Sequence, residues 1–293
     1  MVSTRIIDSE PALILDGDKK NLVISDLHIG FEHKFSSNKI TIGKNSSINE
    51  IILNIKKIIK KENPDTLILL GDVKSSIQNI TKTEWRDIPY FFEEIKNSLE
   101  VILIPGNHDA NIERLIPNDV TLISSKGMII NDVLLTHGHT MPSENYSNVN
   151  NIIMGHIHPV YFDENSLLNG ERIWISIKTG KSQIFSSTKG KINITIIPSF
   201  NPYFYATEKR YYKKSNLFII PSRKDNWGLA MNEAMAAKNA ICSPIKVPNK
   251  LPLVAPTKKM GVSTPPLPPP PSVTAVKIVF NINAYQGISS TIL

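Results

Sequence analysis

The chain has 293 residues, 41% of them apolar, which suffices for one large domain with a substantial core, alone or with an appendage. A lone cysteine, Cys242, excludes an internal disulfide, and neither a signal-peptide pattern nor an apolar run near the ~20 residues of a membrane helix is present, so a soluble cytoplasmic protein with no membrane partner is expected. The net charge of +7 is uneven: from residue 203 onward lie 12 of the 33 basic and 3 of the 26 acidic residues, so residues 1–202 hold 21 basic and 23 acidic side chains and the high pI argues nothing about nucleic-acid binding by that part.

Taken in chain order, PALILDGDKKNLVISDLH at 11–28 predicts two apolar strands around a turn supplied by DGDKKN. Residues 46–62 predict an amphipathic helix. Ser47 with Glu50 has the spacing of a capping box, Ile51, Ile52, Ile55, Ile58 and Ile59 share a face, and Asn63-Pro64 ends it. TLILL at 66–70 is a short continuous apolar run, as in a strand buried on both faces. A second helix is predicted at about 84–98 with Trp85, Ile88, Phe91, Phe92 and Ile95 inward, followed by the strand VILIP at 101–105. This β-α-β-α-β alternation predicts a parallel arrangement in the first half. From 120 the pattern changes. VTLIS, GMIINDVLLTH, NIIMGH, ERIWISI and KINITIIP are strands joined by short turns, which predicts a second, more antiparallel sheet packed on the first.

Six of the seven histidines fall in short motifs with Asp, Asn or Gly at the ends of apolar runs. SDLHIG at 25–30 places Asp26 and His28 two apart. GD at 71–72, GNHD at 106–109, THGH at 136–139 and GHIH at 155–158 follow. Successive strand residues face opposite ways, but where a strand gives way to a loop that alternation breaks down. Pairs such as Asp26 and His28, or His156 and His158, can then turn toward one cavity. Five strand ends meeting at one edge would gather carboxylates, imidazoles and an amide. Oxygen and imidazole donors without thiolate suit Mn, Fe or Zn.

All five blocks, in this order across about 130 residues, resemble the calcineurin-like metallophosphoesterase superfamily. The flanking segments DLHIGFEHKF at 26–35, ILLGDVKSSI at 68–77 and IIPSFN at 196–201 look most like its archaeal branch related to double-strand-break-repair nucleases. The resemblance spans roughly residues 10–212 and implies an α+β fold: a two-sheet β-sandwich with helices on its outer faces, four layers in αββα order, and metals at one edge. It implies two divalent ions, Mn²⁺ first, with Fe, Zn or Ni as alternatives. One ion would take Asp26, His28, Asp72 and His158. The other would take the bridging Asp72 with Asn107, His137 and His156. His108 would protonate the leaving oxygen or steady the phosphoryl charge, with Asp109 orienting its ring. Gly106 and Gly155 would let the backbone turn sharply. His139 and Lys74 are candidate substrate contacts, and Glu32 and His33 read as surface residues. The implied reaction is hydrolysis of a phosphodiester or phosphomonoester by a dimetal-bound hydroxide, with nucleic acid among the substrates to consider.

The resemblance ends near 212, so a catalytic domain over 1–212 and an atypical tail over 213–293 are expected. Residues 216–241 are similar to a fragment of retaining glycosyltransferases, with Asp225 and Glu233 in the spacing of their nucleotide-sugar loop. Ten prolines then fall within 244–271, including PPLPPPP at 265–271, a composition that favours polyproline II, and AVKIVFNINAY predicts a short terminal strand. The rival readings are a bifunctional or glycosyltransferase-derived protein whose tail binds a nucleotide sugar, and a non-catalytic adaptor presenting its polyproline segment. The complete ligand set argues against the second, and the missing Gly-rich phosphate loop against the first.

Overall fold

The computed structural model describes residues 2–32, 47–97, 99–160, 172–203 and 278–281. His33 and the tail features at 216–241 and 244–271 lie outside them. The described strands form two six-stranded sheets. In the first, β1 (Ser3–Ile6), β2 (Leu13–Asp16) and β3 (Lys20–Ile24) run antiparallel, and β4 (Thr66–Leu69), β5 (Glu100–Leu103) and β6 (Thr121–Leu122) extend β3 in parallel. The β2–β3 hairpin turns through the Asp-Gly-Asp stretch, as its residue types predict. The parallel pairings follow from two helical crossovers, α1 (Ser47–Glu62) and α2 (Lys82–Lys96).

Both helices bury the stripe that their spacing predicts. Ile51, Ile52, Ile55 and Ile58 of α1, with Ile88, Phe91, Phe92 and Ile95 of α2, pack on Ile14, Leu22, Ile24, Leu67, Leu69 and Leu103 of the first sheet. Phe91 is fully enclosed. Burying each such side chain is worth about 1.5–3 kcal/mol, so these faces fix both helices. Trp85 departs from expectation. It sits in the first turn of α2, beyond the reach of the sheet, and is 49% exposed. The capping box expected at Ser47 and Glu50 is also absent: the Ser47 hydroxyl donates to Glu32, and Glu50 accepts from the Tyr203 hydroxyl. A capping box occurs instead at α2, between Thr81 and Glu84.

The second sheet has the order β12-β10-β11-β9-β8-β7, comprising β7 (Met128–Ile130), β8 (Val133–Thr136), β9 (Asn151–Met154), β10 (Ile175–Gly180), β11 (Lys191–Ile196) and β12 (Ile278–Asn281). It is mixed, not mainly antiparallel. The two hairpin pairs are antiparallel, whereas β8/β9, β9/β11 and β10/β12 are parallel. VTLIS does not belong here; Thr121–Leu122 follow β5 and extend the first sheet. The sheets face each other across Leu13, Leu15, Val23, Ile68 and Leu70 on one side and Val133, Leu135, Ile153 and Trp174 on the other. Among the described residues, Val149, Ile184 and Phe185 from turns close the outer face of the second sheet. The fold is therefore α+β, with two stacked sheets and both described α-helices on the first. No described helix is long and apolar enough to cross a membrane.

Candidate metal centre

β3, β4 and β5 are adjacent and parallel, so their C-terminal ends open on one edge, and β8 and β9 do the same in the second sheet. The five motif turns occupy these ends. Backbone bonds lash them together: Asp26 N–H to Gly71 O at 3.1 Å, His28 N–H to Asp72 O at 2.8 Å and Gly155 N–H to His137 O at 3.1 Å. Nine described non-glycine residues have positive φ, and five of them are Asp26 (61°), His28 (44°), Asp72 (51°), His156 (70°) and His158 (48°). A left-handed residue reverses the side-chain direction that an extended strand would impose. Residues two apart already share a face in an extended strand; here both members of the Asp26/His28 and His156/His158 pairs are left-handed, which turns each pair out of the strand direction together. Gly106 and Gly155 have no left-handed φ; what they supply is space. A Cβ on Gly106 would lie 2.6 Å from Asp72 N and 2.8 Å from His137 Nε2, and one on Gly155 would lie 2.6 Å from Asp26 Oδ2.

Two groups of donors result. Asp26, His28, Asp72 and His158 form one, and Asp72, His137 and His156 the other, with the ligand atoms in each within 4.8 Å of one another. Asn107 joins the second through Oδ1, 3.3 Å from His137 Nε2. Asp72 Oδ2 faces both groups, 3.7 Å from His28 Nε2 and 3.3 Å from His137 Nε2. Ring nitrogens point at ring nitrogens, His28 Nε2 to His158 Nε2 and His156 Nδ1 to His137 Nε2, each pair 3.2 Å apart. Imidazoles converging head-on beside carboxylates suit a common cation, and a donor set of oxygen and nitrogen without sulfur suits a first-row divalent ion. The rings are aimed from behind. His137 Nδ1 donates to Leu70 O at 2.6 Å, leaving Nε2 directed inward.

The charge pattern is uneven. Burial opposes charge on Asp26, yet the His158 and His137 imidazoles outweigh it and hold the carboxyl at about 2. Burial likewise opposes charge on His137, but Asp72 and Asp26 raise it to about 10. Burial and the neighbouring His137 push His156 down to about 3 and His139 to about 4. His28 is also held well below its ordinary value, first by burial and then by His158. Neutral imidazole is the form that binds metal.

His108 stands beside the cluster. Its Nε2 lies 4.0 Å from Asp72 Oδ2, and its Nδ1 donates to Ser75 O at 2.6 Å. Asp109 does not touch that ring. Both of its oxygens are taken by backbone amides, Oδ1 by Lys74 N at 3.0 Å and Oδ2 by Gly106 N at 2.8 Å. It ties two motif turns to each other, and burial with the Asp72 charge raises its carboxyl to about 6. Lys74 does not face a substrate either. It is buried, with Nζ donating to Ser76 O and Oγ of its own loop. His139 remains at the rim, half-buried, its ring centroid 5.3 Å from that of His137. Glu32 engages Ser47 at the start of α1.

Several supports are not evident from the motifs. Ser25 Oγ donates to Asp26 Oδ2 at 2.6 Å. Phe200 N–H donates to Ser25 O at 2.8 Å, Ser199 Oγ to Asp26 O at 2.9 Å and Asn201 Nδ2 to Leu27 O at 2.8 Å. The IIPSFN segment therefore splints the first ligand turn from the end of the second sheet. Its polar pair beside an aromatic was the available signal.

A family model of the calcineurin-like phosphoesterases matches residues 20–212. Among solved structures the chain is similar to the Pseudomonas putida nuclease MPE, with 14% identity and a TM-score of 0.43, over 71% of this chain and 93% of that one.

Proposed function

Since the chain belongs to the calcineurin-like phosphoesterase family and is a hydrolase of phosphoric ester bonds, we propose that it cleaves phosphodiesters or phosphomonoesters at a two-metal centre. Asp26, His28, Asp72 and His158 would hold one ion, and Asp72, Asn107, His137 and His156 the other. The observation that carries this reading is the position of Asp72 Oδ2 between the two donor groups. Bound divalent cations would polarise the phosphoryl oxygens and acidify a water for attack. Mn²⁺ is our first choice, because carboxylate, amide and imidazole donors are all acceptable to it.

His108 supplies the proton. With Nδ1–H committed to Ser75 O, the proton for the departing oxygen would come from Nε2 of the doubly protonated ring. The ring also stands beside Asp72, the proposed bridging ligand, with Nε2 4.0 Å from Oδ2. Asn107 adds a neutral oxygen, which limits the negative charge of the site and keeps it receptive to an anionic ester. Asp109 holds the 74–76 loop and the Gly106 turn in register, and His139 lines the rim within reach of a substrate.

The flanking surface bears on the substrate. A cleft of about 360 Å³ is lined by Gln78, Asn79, Ile80, Trp85, Asn111 and Arg114. Its lining comes from the loops that follow Ser75 and Asp109 in sequence and from the first turn of α2. An exposed indole, amides and a guanidinium are groups that stack on and bond a nucleobase. This supports a nucleotide-bearing ester over a bare phosphomonoester. The near-neutral balance of residues 1–202 argues for base recognition over backbone binding. We take residues 1–212 as the catalytic domain, 213–293 as an addition to it that returns Ile278–Asn281 as an edge strand of the second sheet, and the cytoplasm as its compartment. The test is hydrolysis of bis-nitrophenyl phosphate and of a nucleoside nitrophenyl phosphodiester, with Mn²⁺ and with EDTA. EDTA-insensitive or absent turnover on both would refute the proposal.

A further inference from the structure

Glu84 is fully buried at the start of α2. Its role in capping accounts for one bond only, the acceptance of Thr81 N–H by Oε2 at 2.7 Å. The remaining bonds reach forward into the loop behind His108. Oε1 accepts Ser75 N–H at 3.0 Å and Ser76 N–H at 2.7 Å, and Oε2 accepts the Ser76 hydroxyl at 2.7 Å. The Ser75 carbonyl belongs to the same peptide group as the Ser76 N–H. In a trans peptide, C=O and N–H point in opposite directions. A carboxylate gripping Ser76 N–H therefore aims Ser75 O away from itself, and that oxygen is the one that receives His108 Nδ1–H at 2.6 Å. The order is carboxylate, peptide, imidazole, with a full negative charge at the far end. Hydrogen bonds in series polarise one another, so the charge strengthens the carbonyl as an acceptor.

The carboxylate is itself held. Gly30, with φ +88°, ends the turn that carries Asp26 and His28, and a Cβ there would come 2.8 Å from Glu84 Cγ. The parallel bridge between Ile29 and Lys74 joins the same two loops. Among the described residues no other side chain accepts the successive Ser75 and Ser76 N–H groups.

We propose that Glu84 is a positioning residue for the reaction, fixing the direction of the His108 ring through the Ser75–Ser76 peptide so that Nδ1–H stays on Ser75 O and Nε2 faces the leaving oxygen. The proposal rests on the reading of His108 as the proton donor. A displaced donor costs rate chiefly where the leaving group needs a proton, and misplacement by about 1 Å is worth about 10²-fold.

The experiment uses the full chain and compares Glu84→Gln, Glu84→Asp, Thr81→Ala, His108→Ala and the double variant Glu84→Gln/His108→Ala. Glu84→Asp keeps the charge and the acceptor near Thr81 but is one methylene too short for the loop, so it serves if Glu84→Gln does not fold. Metal content, thermal midpoint and turnover on nitrophenyl and alkyl diesters are measured. Both Glu84 variants should retain metal, and alkyl diester turnover should fall about 10–10²-fold while nitrophenyl turnover changes far less. In the His108→Ala background the Glu84 substitution should add less than about twofold, whereas Thr81→Ala should lower the midpoint without changing the leaving-group dependence. Equal losses on both substrates, loss of metal, or full additivity in the double variant would overturn the proposal. Failure of His108→Ala itself to show leaving-group dependence would instead overturn the assignment of the acid.

Discussion

Asp72→Asn isolates the bridging charge with little other disturbance. Asp72 has φ 51°, a conformation in which Asn is among the most tolerated residues, so the turn should persist. The Asn carbonyl can still accept His108 N–H, now received by Oδ1 at 2.9 Å. What changes is the other oxygen, which faces His28 and His137: it becomes an amide nitrogen that cannot bind a cation. A ligand that binds only the folded state stabilises it by about 2.7 kcal/mol when present at 100 times its Kd. In a domain of this size, about 1 kcal/mol moves the midpoint by about 2–4 °C. Mn²⁺ at that concentration should therefore raise the wild-type midpoint by about 5–11 °C per ion. Weakening a site 100-fold leaves only about 0.4 kcal/mol at the same concentration, a shift of about 1–2 °C. Thermal unfolding with and without Mn²⁺, with metal counted on the purified proteins, separates the two cases. A variant that keeps two ions and the full shift would show that Asp72 does not bridge.

His108→Ala should keep the metal-dependent shift and lose about 10²–10⁴ in turnover on alkyl diesters, and much less on nitrophenyl esters; a metal-depleted product would make it a ligand. Gly106→Ala drives a methyl group into Asp72 and His137, so metal binding should vanish while the metal-free midpoint falls by the equivalent of about 1–3 kcal/mol; unaltered metal content would contradict the close approach. Glu144 accepts from the amides and hydroxyls of Ser186 and Ser187, which lower its carboxyl from 4.5 to about 2. A depressed carboxyl stabilises above its unfolded value and loses that effect as pH falls through the folded one. The midpoint difference between wild type and Glu144→Gln should thus be constant above about pH 5 and shrink from 4.5 toward 2; a difference that persists unchanged at the acid end would refute it.

What the sequence made legible was what local pattern encodes. The Ile stripe of α1 and the Phe91/Phe92 stripe of α2 must find a sheet wherever the chain goes, and each motif turn follows an apolar run that can only be a strand. What it concealed depends on partners distant in sequence. Ser47 has the spacing of a cap, but its hydroxyl meets Glu32 first. Thr81 and Glu84 have the same spacing and do form the box. Thr121–Leu122 could join either sheet, and the choice follows from β5 being the nearer free edge. Asp109 reads as the partner of its neighbour His108, yet consecutive side chains diverge, and the carboxylate turns back to the Lys74 and Gly106 amides. Lys74 reads as a free loop cation because no pattern reveals that its own loop closes over it.

The left-handed residues explain why the motifs are short and rigid in spacing. Such a conformation costs a non-glycine residue on the order of 1–3 kcal/mol, somewhat less for Asp and His. Five of them in three turns are a standing charge against a folded state that is only about 5–15 kcal/mol stable. Crowding adds to it: three carboxylates and six imidazoles share one edge, and the field of Asp72 and Asp26 leaves His137 charged while burial keeps His28 and His156 neutral. The interlocking backbone bonds and the IIPSFN splint offset part of the cost. On the proposed two-metal reading, divalent ions would offset the rest by giving the carboxylates of Asp26 and Asp72 and the opposed ring nitrogens a common partner. If the proposed ligands hold the ions, this strained geometry is built in before any ion arrives, and loss of the bridging charge should uncouple stability from metal and leave the fold standing.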